Sequence, residues 1–187
     1  MKIIENTLGL DLLKLCQDEL HSKLKKNEWK STSVFWMSYL KKGIDGSALV
    51  TDTSLNVQES IKKEISPYVP ECDIVTQYYV WQSNSGISLH RDTSHKFGAT
   101  IYLNDEWHPD SGGWFIWKDK EKWNTILPTK NLMVLNDIDE EHLVTRVSSD
   151  DVCNSFIKFF FDFLVTMDDM CIKDSVIKHA GFKSVMD

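Results

Sequence analysis

The sequence predicts a mainly β domain with flanking helices, an α+β arrangement around a sandwich or barrel. Three observations point there. Six short β-prone runs follow one another between residues 74 and 164, separated by Gly, Pro, Asn and Asp. Two amphipathic helical patterns precede them. The chain has 187 residues, 42% hydrophobic and 11% aromatic, enough to bury one core and the right size for one domain.

In the first helical pattern, Leu13, Cys16, Leu20 and Leu24 recur at spacings of three and four between Leu8 and Lys26, with Asn6 or Thr7 available as N-cap. The second runs from Leu55 to Ile65 through Val57 and Ile61. It stops before Pro67, whose ring and missing N–H oppose continuation. Between them, Ser33 to Leu40 (SVFWMSYL) is aromatic and β-prone, and Gly43 and Gly46 mark a loop. The six runs are IVTQYYVWQ, FGATIYLN, GGWFIW, NLMVLN, HLVTRV and NSFIKFFFDFL, with Gly112-Gly113 reading as a hairpin turn. From Thr166 the chain is mixed in polarity and reads as a closing helix. The expected organisation is a single domain: residues 1–73 mostly helical support, 74–164 the β core, 165–187 a C-terminal extension.

Lys and Arg number 21 against 28 Asp and Glu, a formal charge of -7, and no basic run exceeds Lys25-Lys26 or Lys41-Lys42. A sequence-blind grip on phosphate backbones is therefore not expected, and nucleic acid is an unlikely partner. Cys16, Cys72, Cys153 and Cys171 lie far apart without a CxxC pair, which fits reduced thiols in a reducing compartment. Glu5 and Asp11 interrupt the apolar stretch a secretory signal needs, and no window approaches the roughly 20 apolar residues of a membrane span. The expected address is cytoplasmic, with no membrane partner.

Chemistry concentrates in the β-rich half. His90 and Asp92 stand two apart in LHRD, so on an extended segment both side chains leave by one face and Arg91 by the other. His142 opens HLVTRV some fifty residues later. Neighbouring strands can bring the three to one point, and two imidazoles with one carboxylate form the facial triad that holds Fe(II) with open positions for a co-substrate and dioxygen. On spacing alone, a hydrogen-bonded core or surface histidine is the competing reading of either His.

The run from His90 to Trp117, HRDTSHKFGATIYLNDEWHPDSGGWFIW, resembles the double-stranded β-helix oxygenases that depend on Fe(II) and 2-oxoglutarate, in particular the prolyl 4-hydroxylase-like branch. An HxD segment, a TIYLN-type strand, Trp107, Asp110 and Gly112-Gly113 occur in that family's order. So do the aliphatic NLMVLN, His142 with Val144, and the aromatic SFIKFFF. The resemblance covers about half of the chain, roughly Ile74 to Leu164. It implies a jelly-roll, cupin-like core and Fe(II) held by His90, Asp92 and His142. It also implies hydroxylation of a protein or peptide side chain, or of an amino acid, coupled to decarboxylation of 2-oxoglutarate to succinate. Dioxygen would be the oxidant, with ascorbate as an accessory reductant. Asp92, where related halogenases carry a small residue, favours hydroxylation.

2-Oxoglutarate also brings a distal carboxylate whose burial without partners would cost several kcal/mol. The resemblance assigns a share of that binding to the Tyr102 hydroxyl, with a core tyrosine as the competing reading. The basic position of the family falls on Asn154, which carries no charge. Lys158, on the same face as Asn154 at period two, and Arg146, on the face of His142 and Val144, are the two expected replacements; Lys158 snorkelling to solvent is the alternative. Asn154 also motivates a second function, a jelly-roll binding module that no longer takes the co-substrate. His95 and His108 read as loop histidines near the mouth. The acidic stretch of Asp137, Asp139, Glu140 and Glu141 reads as a turn able to orient His142. Tyr78, Tyr79, Trp81, Trp107, Trp114 and Trp117 read as core or as walls excluding water.

Overall fold

A computed structural model of the chain describes residues 1–33, 47–70, 72–92, 95–137, 139–148 and 154–163, with the side chains of 31–33, 47, 95–96 and 154–163 outside the description. The elements in chain order are β1 (Lys2–Ile4), α1 (Leu10–Lys25), β2 (Lys30–Ser33), β3 (Ser47–Asp52), α2 (Leu55–Ile65), β4 (Ile74–Trp81), β5 (Ile87–His90), β6 (His95–Tyr102), a 3-10 turn (Pro109–Ser111), β7 (Phe115–Asp119), β8 (Lys122–Ile126), β9 (Met133–Asp137), β10 (His142–Val144) and β11 (Asn154–Phe163). Two sheets result, a seven-stranded one in the order β1-β9-β6-β11-β4-β3-β2 and a four-stranded one in the order β5-β10-β7-β8. Each interstrand pair is antiparallel, the jelly-roll arrangement expected from the sequence.

Alternation along the strands of the large sheet separates two apolar layers. Ile74, Tyr78, Val80, Ala99, Ile101, Met133 and Leu135 pack with Leu12, Leu13, Cys16 and Leu20 of α1 and with Val57, Ile61 and Ile65 of α2. Tyr79, Trp81, Tyr102 and Val134 turn the other way and meet Ile87, Phe115 and Val147 between the sheets. Each helix buries one stripe and the sheet both faces, so the helices cover the outer face of the large sheet.

The α2 boundaries coincide with the sequence expectation. Ser54 caps it, Oγ accepting from Val57 N at 3.4 Å, and Glu19 of α1 accepts from Ser54 N and Oγ at 2.7 and 2.6 Å. The start of α1 differs. Its cap is Gly9, without a side-chain bond, because Thr7 Oγ1 donates back to Ile4 O and Asn6 adopts a positive φ of 52°. Glu64 of α2 instead accepts from Gly9 N at 2.6 Å, so a neighbouring helix satisfies one of the amides a local cap would take.

Residues 1–73 contribute more than helical support: β1, β2 and β3 complete the large sheet at both edges. Gly112-Gly113 is not a hairpin turn. Both glycines have positive φ, 69° and 67°, and they lead from the 3-10 turn into β7, while the β7–β8 hairpin turns at Lys120 with φ 54°. Most of SVFWMSYL and the proposed closing helix lie outside the described residues. Among the described residues no helix is long and apolar enough to cross a membrane.

Candidate metal centre

The site forms where β10 inserts between β5 and β7 in the small sheet. His142 is the direct partner of His90 on one side and of Trp117 on the other. Directly paired residues share a face, so both imidazoles turn toward the space between the sheets, their centroids 4.2 Å apart at a tilt of 54°. Asp92 follows β5 by two residues and returns to the same face. His90, Asp92 and His142 are all buried, and one ligand atom from each lies within 4.8 Å of the other two. His90 Nε2 stands 3.7 Å from Asp92 Oδ1, and His142 Nε2 3.7 Å from Asp92 Oδ2.

The two rings are held alike. His90 Nδ1 lies 2.8 Å from the Ser88 carbonyl oxygen and His142 Nδ1 2.8 Å from that of Glu140. A carbonyl only accepts, so each Nδ1 donates to it, which turns each Nε2, the ring atom a metal would take, toward Asp92. The donor set thus fits a divalent transition metal: two imidazole nitrogens and one carboxylate, on one side, with the imidazoles oriented by backbone bonds. Phe115 stacks on the His142 ring at 5.3 Å and 13° and dries that flank.

The acidic stretch before His142 acts through its backbone and by ion pairing. Glu140 supplies the carbonyl that anchors His142, while its carboxylate accepts from Asp137 N at 2.9 Å and pairs with the Met1 ammonium. Glu141 pairs with Arg91 at 3.3 Å, and its carbonyl accepts from Lys118 N. The pair therefore links the residue between two candidate ligands to the residue before the third.

One residue near the centre carries no motif signal. Asn136 of β9 is buried, and its Nδ2 donates to Asp92 Oδ2 at 2.9 Å across the gap between the sheets. It belongs to NLMVLN, which reads as a plain aliphatic strand. Period two from Val134, an inter-sheet residue, is the signal that places Asn136 inward.

Tyr102 is buried in the inter-sheet layer, and burial raises its phenol well above the ordinary range. Tyr79, in the same layer, is raised the same way and donates to Gln77 Oε1 at 3.2 Å. Both remain protonated donors at neutral pH. Lys158 pairs in register with Gln77 of β4 and Thr100 of β6, in the row that alternates with Ile157 opposite Tyr78 and Ile101 of the helix-side layer. Its register position is thus on the inter-sheet row of β11, as are Phe156, opposite Tyr79 and Tyr102, and Asn154, opposite Trp81. Arg146 lies beyond the end of β10 and is exposed, and its carbonyl accepts from Gly113 N. His108 is exposed and accepts from Asp110 N to start the 3-10 turn. His95 opens β6, its side chain outside the description.

No family model matches the sequence, and no curated protein matches it. Solved structures do match in three dimensions. A prolyl 4-hydroxylase from Pseudomonas putida superposes with a TM-score of 0.68 at 14% identity, covering 86% of this chain and 91% of its own. A prolyl hydroxylase from Trichoplax adhaerens, solved with a peptide fragment of a hypoxia inducible factor oxygen degradation domain, gives 0.66 at 14% identity over 86% and 82%. HygX from Streptomyces hygroscopicus, with nickel, 2-oxoglutarate and hygromycin B bound, gives 0.59 at 9% identity over 87% and 82%. The class of architecture is therefore that of the 2-oxoglutarate- and Fe(II)-dependent oxygenases, with prolyl 4-hydroxylases among the structures this chain resembles in fold.

Proposed function

We propose that the protein is an Fe(II)- and 2-oxoglutarate-dependent dioxygenase that hydroxylates a protein or peptide side chain, or an amino acid, in a reducing, cytoplasmic setting. The observation that carries this reading is the convergence of His90, Asp92 and His142 within 4.8 Å in a buried site, with both imidazoles held through Nδ1. These three residues would hold the metal. Bound iron would supply the activation of dioxygen that drives decarboxylation of 2-oxoglutarate to succinate and oxidation of the substrate.

The chain's own residues do the rest. Tyr102, kept protonated by burial, donates to the distal carboxylate of 2-oxoglutarate, and Lys158, at an inter-sheet position of β11, neutralises it. Lys158 is preferred to Arg146 because Arg146 is exposed beyond β10. Tyr79, Trp81 and Phe115 line the layer between the sheets and keep water from the reacting groups. The substrate class follows the peptide- and small-molecule-bound neighbours only in kind; peptide side chains are the first to test.

The purified chain, supplied with Fe(II), ascorbate and dioxygen, is expected to release succinate from 2-oxoglutarate, and Asp92→Ala to release none. A folded chain that neither binds 2-oxoglutarate saturably nor releases succinate, in the presence of peptide libraries and amino acids, would instead favour the binding module that no longer takes the co-substrate.

A further inference from the structure

We propose that Asn136 is a positioning residue for the metal centre: its amide fixes the Asp92 carboxylate in the orientation that presents it to the metal. The inference rests on the reading of His90, Asp92 and His142 as metal ligands.

Asp92 needs such a partner because the strand that carries His90 ends before it. β5 stops at His90, so no sheet ladder defines the backbone at Asp92, and the carboxylate can rotate about its Cβ–Cγ bond. The two histidines have local anchors, a carbonyl two residues back in each case. The carboxylate is gripped from the opposite sheet. Asn136 Nδ2 reaches Asp92 Oδ2 at 2.9 Å, a buried bond between residues 44 apart in sequence. That bond is well placed to be rigid: Asn136 lies inside the β9 ladder, and its partner on β6 is Gly98, which puts no side chain beside the amide.

The choice of an amide is chemically informative. A Lys or Arg at this position would pair with Asp92 and cancel the charge the metal needs. An Asp would add a second buried anion at hydrogen-bond distance. Leu or Val, which the rest of NLMVLN suggests for the position, would leave a buried carboxylate oxygen without this donor. A neutral donor orients the ligand and leaves its charge in place.

The test is Mn(II) binding by isothermal titration to the full chain, with thermal midpoints measured without metal and visible spectra of the Co(II) forms. Asn136→Leu, near in volume and lacking a donor, is expected to weaken Mn(II) by about 10- to 100-fold and to change the Co(II) band pattern. Asn136→Thr, which keeps a donor on a shorter arm, is expected to lie between wild type and Leu. If the Leu variant does not fold, Asn136→Ala takes its place in the same comparison. Folded donor-free variants that bind Mn(II) within two-fold of wild type with an unchanged Co(II) spectrum overturn the proposal, whatever their thermal midpoints, and so does a Thr variant as weak as the donor-free one. Failure of wild type itself to bind Mn(II) overturns the underlying metal-centre reading, an outcome distinct from wild type and variant binding alike.

Discussion

His90 and His142 are direct partners across the β5–β10 pair, and their rings lie 4.2 Å apart with both Nδ1 atoms bonded to backbone carbonyls two residues upstream. The repetition of one anchoring device on two strands makes a two-imidazole edge facing Asp92. The fold itself thus brings the three candidate ligands to one point.

Metal should therefore stabilise the fold by mass action. At a free Mn(II) concentration 100 times the Kd, the native state gains about 2.7 kcal/mol, which for a chain of this length raises Tm by roughly 5–10 °C. Differential scanning fluorimetry with and without chelator reads this. His142→Ala, losing one ligand, is expected to show no metal-dependent shift.

The Arg91–Glu141 pair joins the two ligand-bearing segments at the surface, Arg91 half exposed. Such a pair contributes up to about 1 kcal/mol and is screened by salt. Arg91→Glu is expected to weaken Mn(II) by a few-fold at low ionic strength, and Arg91→Glu with Glu141→Arg to recover most of it. Titrations at low and high salt check both statements.

Gly112 is held at φ 69° with its ideal Cβ position 2.0 Å from the Arg146 carbonyl oxygen, in a bridge that pairs it with Val147. A side chain there is strained and must displace backbone. Gly112→Ala is expected to cost at least about 2 kcal/mol and to lower Tm by several degrees. An unchanged midpoint would remove this joint from the list of features holding the chain after β10.

Cys16 is fully buried against Tyr78, and burial pushes its thiol up to about 12 from an ordinary 9.0. The native thiol keeps its proton where the unfolded one loses it. Its contribution to stability is complete below pH 9 and is lost as pH rises toward 12, by at most about 4 kcal/mol. Urea midpoints between pH 8 and pH 11 should fall, and fall less steeply in Cys16→Ala. Native Cys16 should also resist iodoacetamide at pH 8.5 and react once the chain is unfolded.

Long, strongly patterned elements were legible in the sequence. α2 and the six β runs from IVTQYYVWQ onward carry the periodicities that burial on one or both faces imposes, and HxD with a distal His names the three residues that the fold brings together. What escaped notice lacks local signal. β1, β5 and β8 are three to five residues long, too short for a period, and exist through their partners. The Gly9 cap depends on Glu64, 55 residues away, and Asn136 meets Asp92, 44 residues away and just beyond a strand of the other sheet. Tyr102 was visible as a residue type in TIYLN, but its burial is a tertiary fact.

As a dioxygenase, the protein must take one metal ion at the triad, and that metal must bring in 2-oxoglutarate. Anaerobic titration of the intact chain with Fe(II), followed by 2-oxoglutarate, measures this directly. The expected result is one Fe(II) per chain, a visible charge-transfer band that develops only when 2-oxoglutarate is added to the iron-loaded protein, and loss of both in Asp92→Ala. A folded wild-type chain that takes up no iron, or binds 2-oxoglutarate equally without it, is not such a dioxygenase.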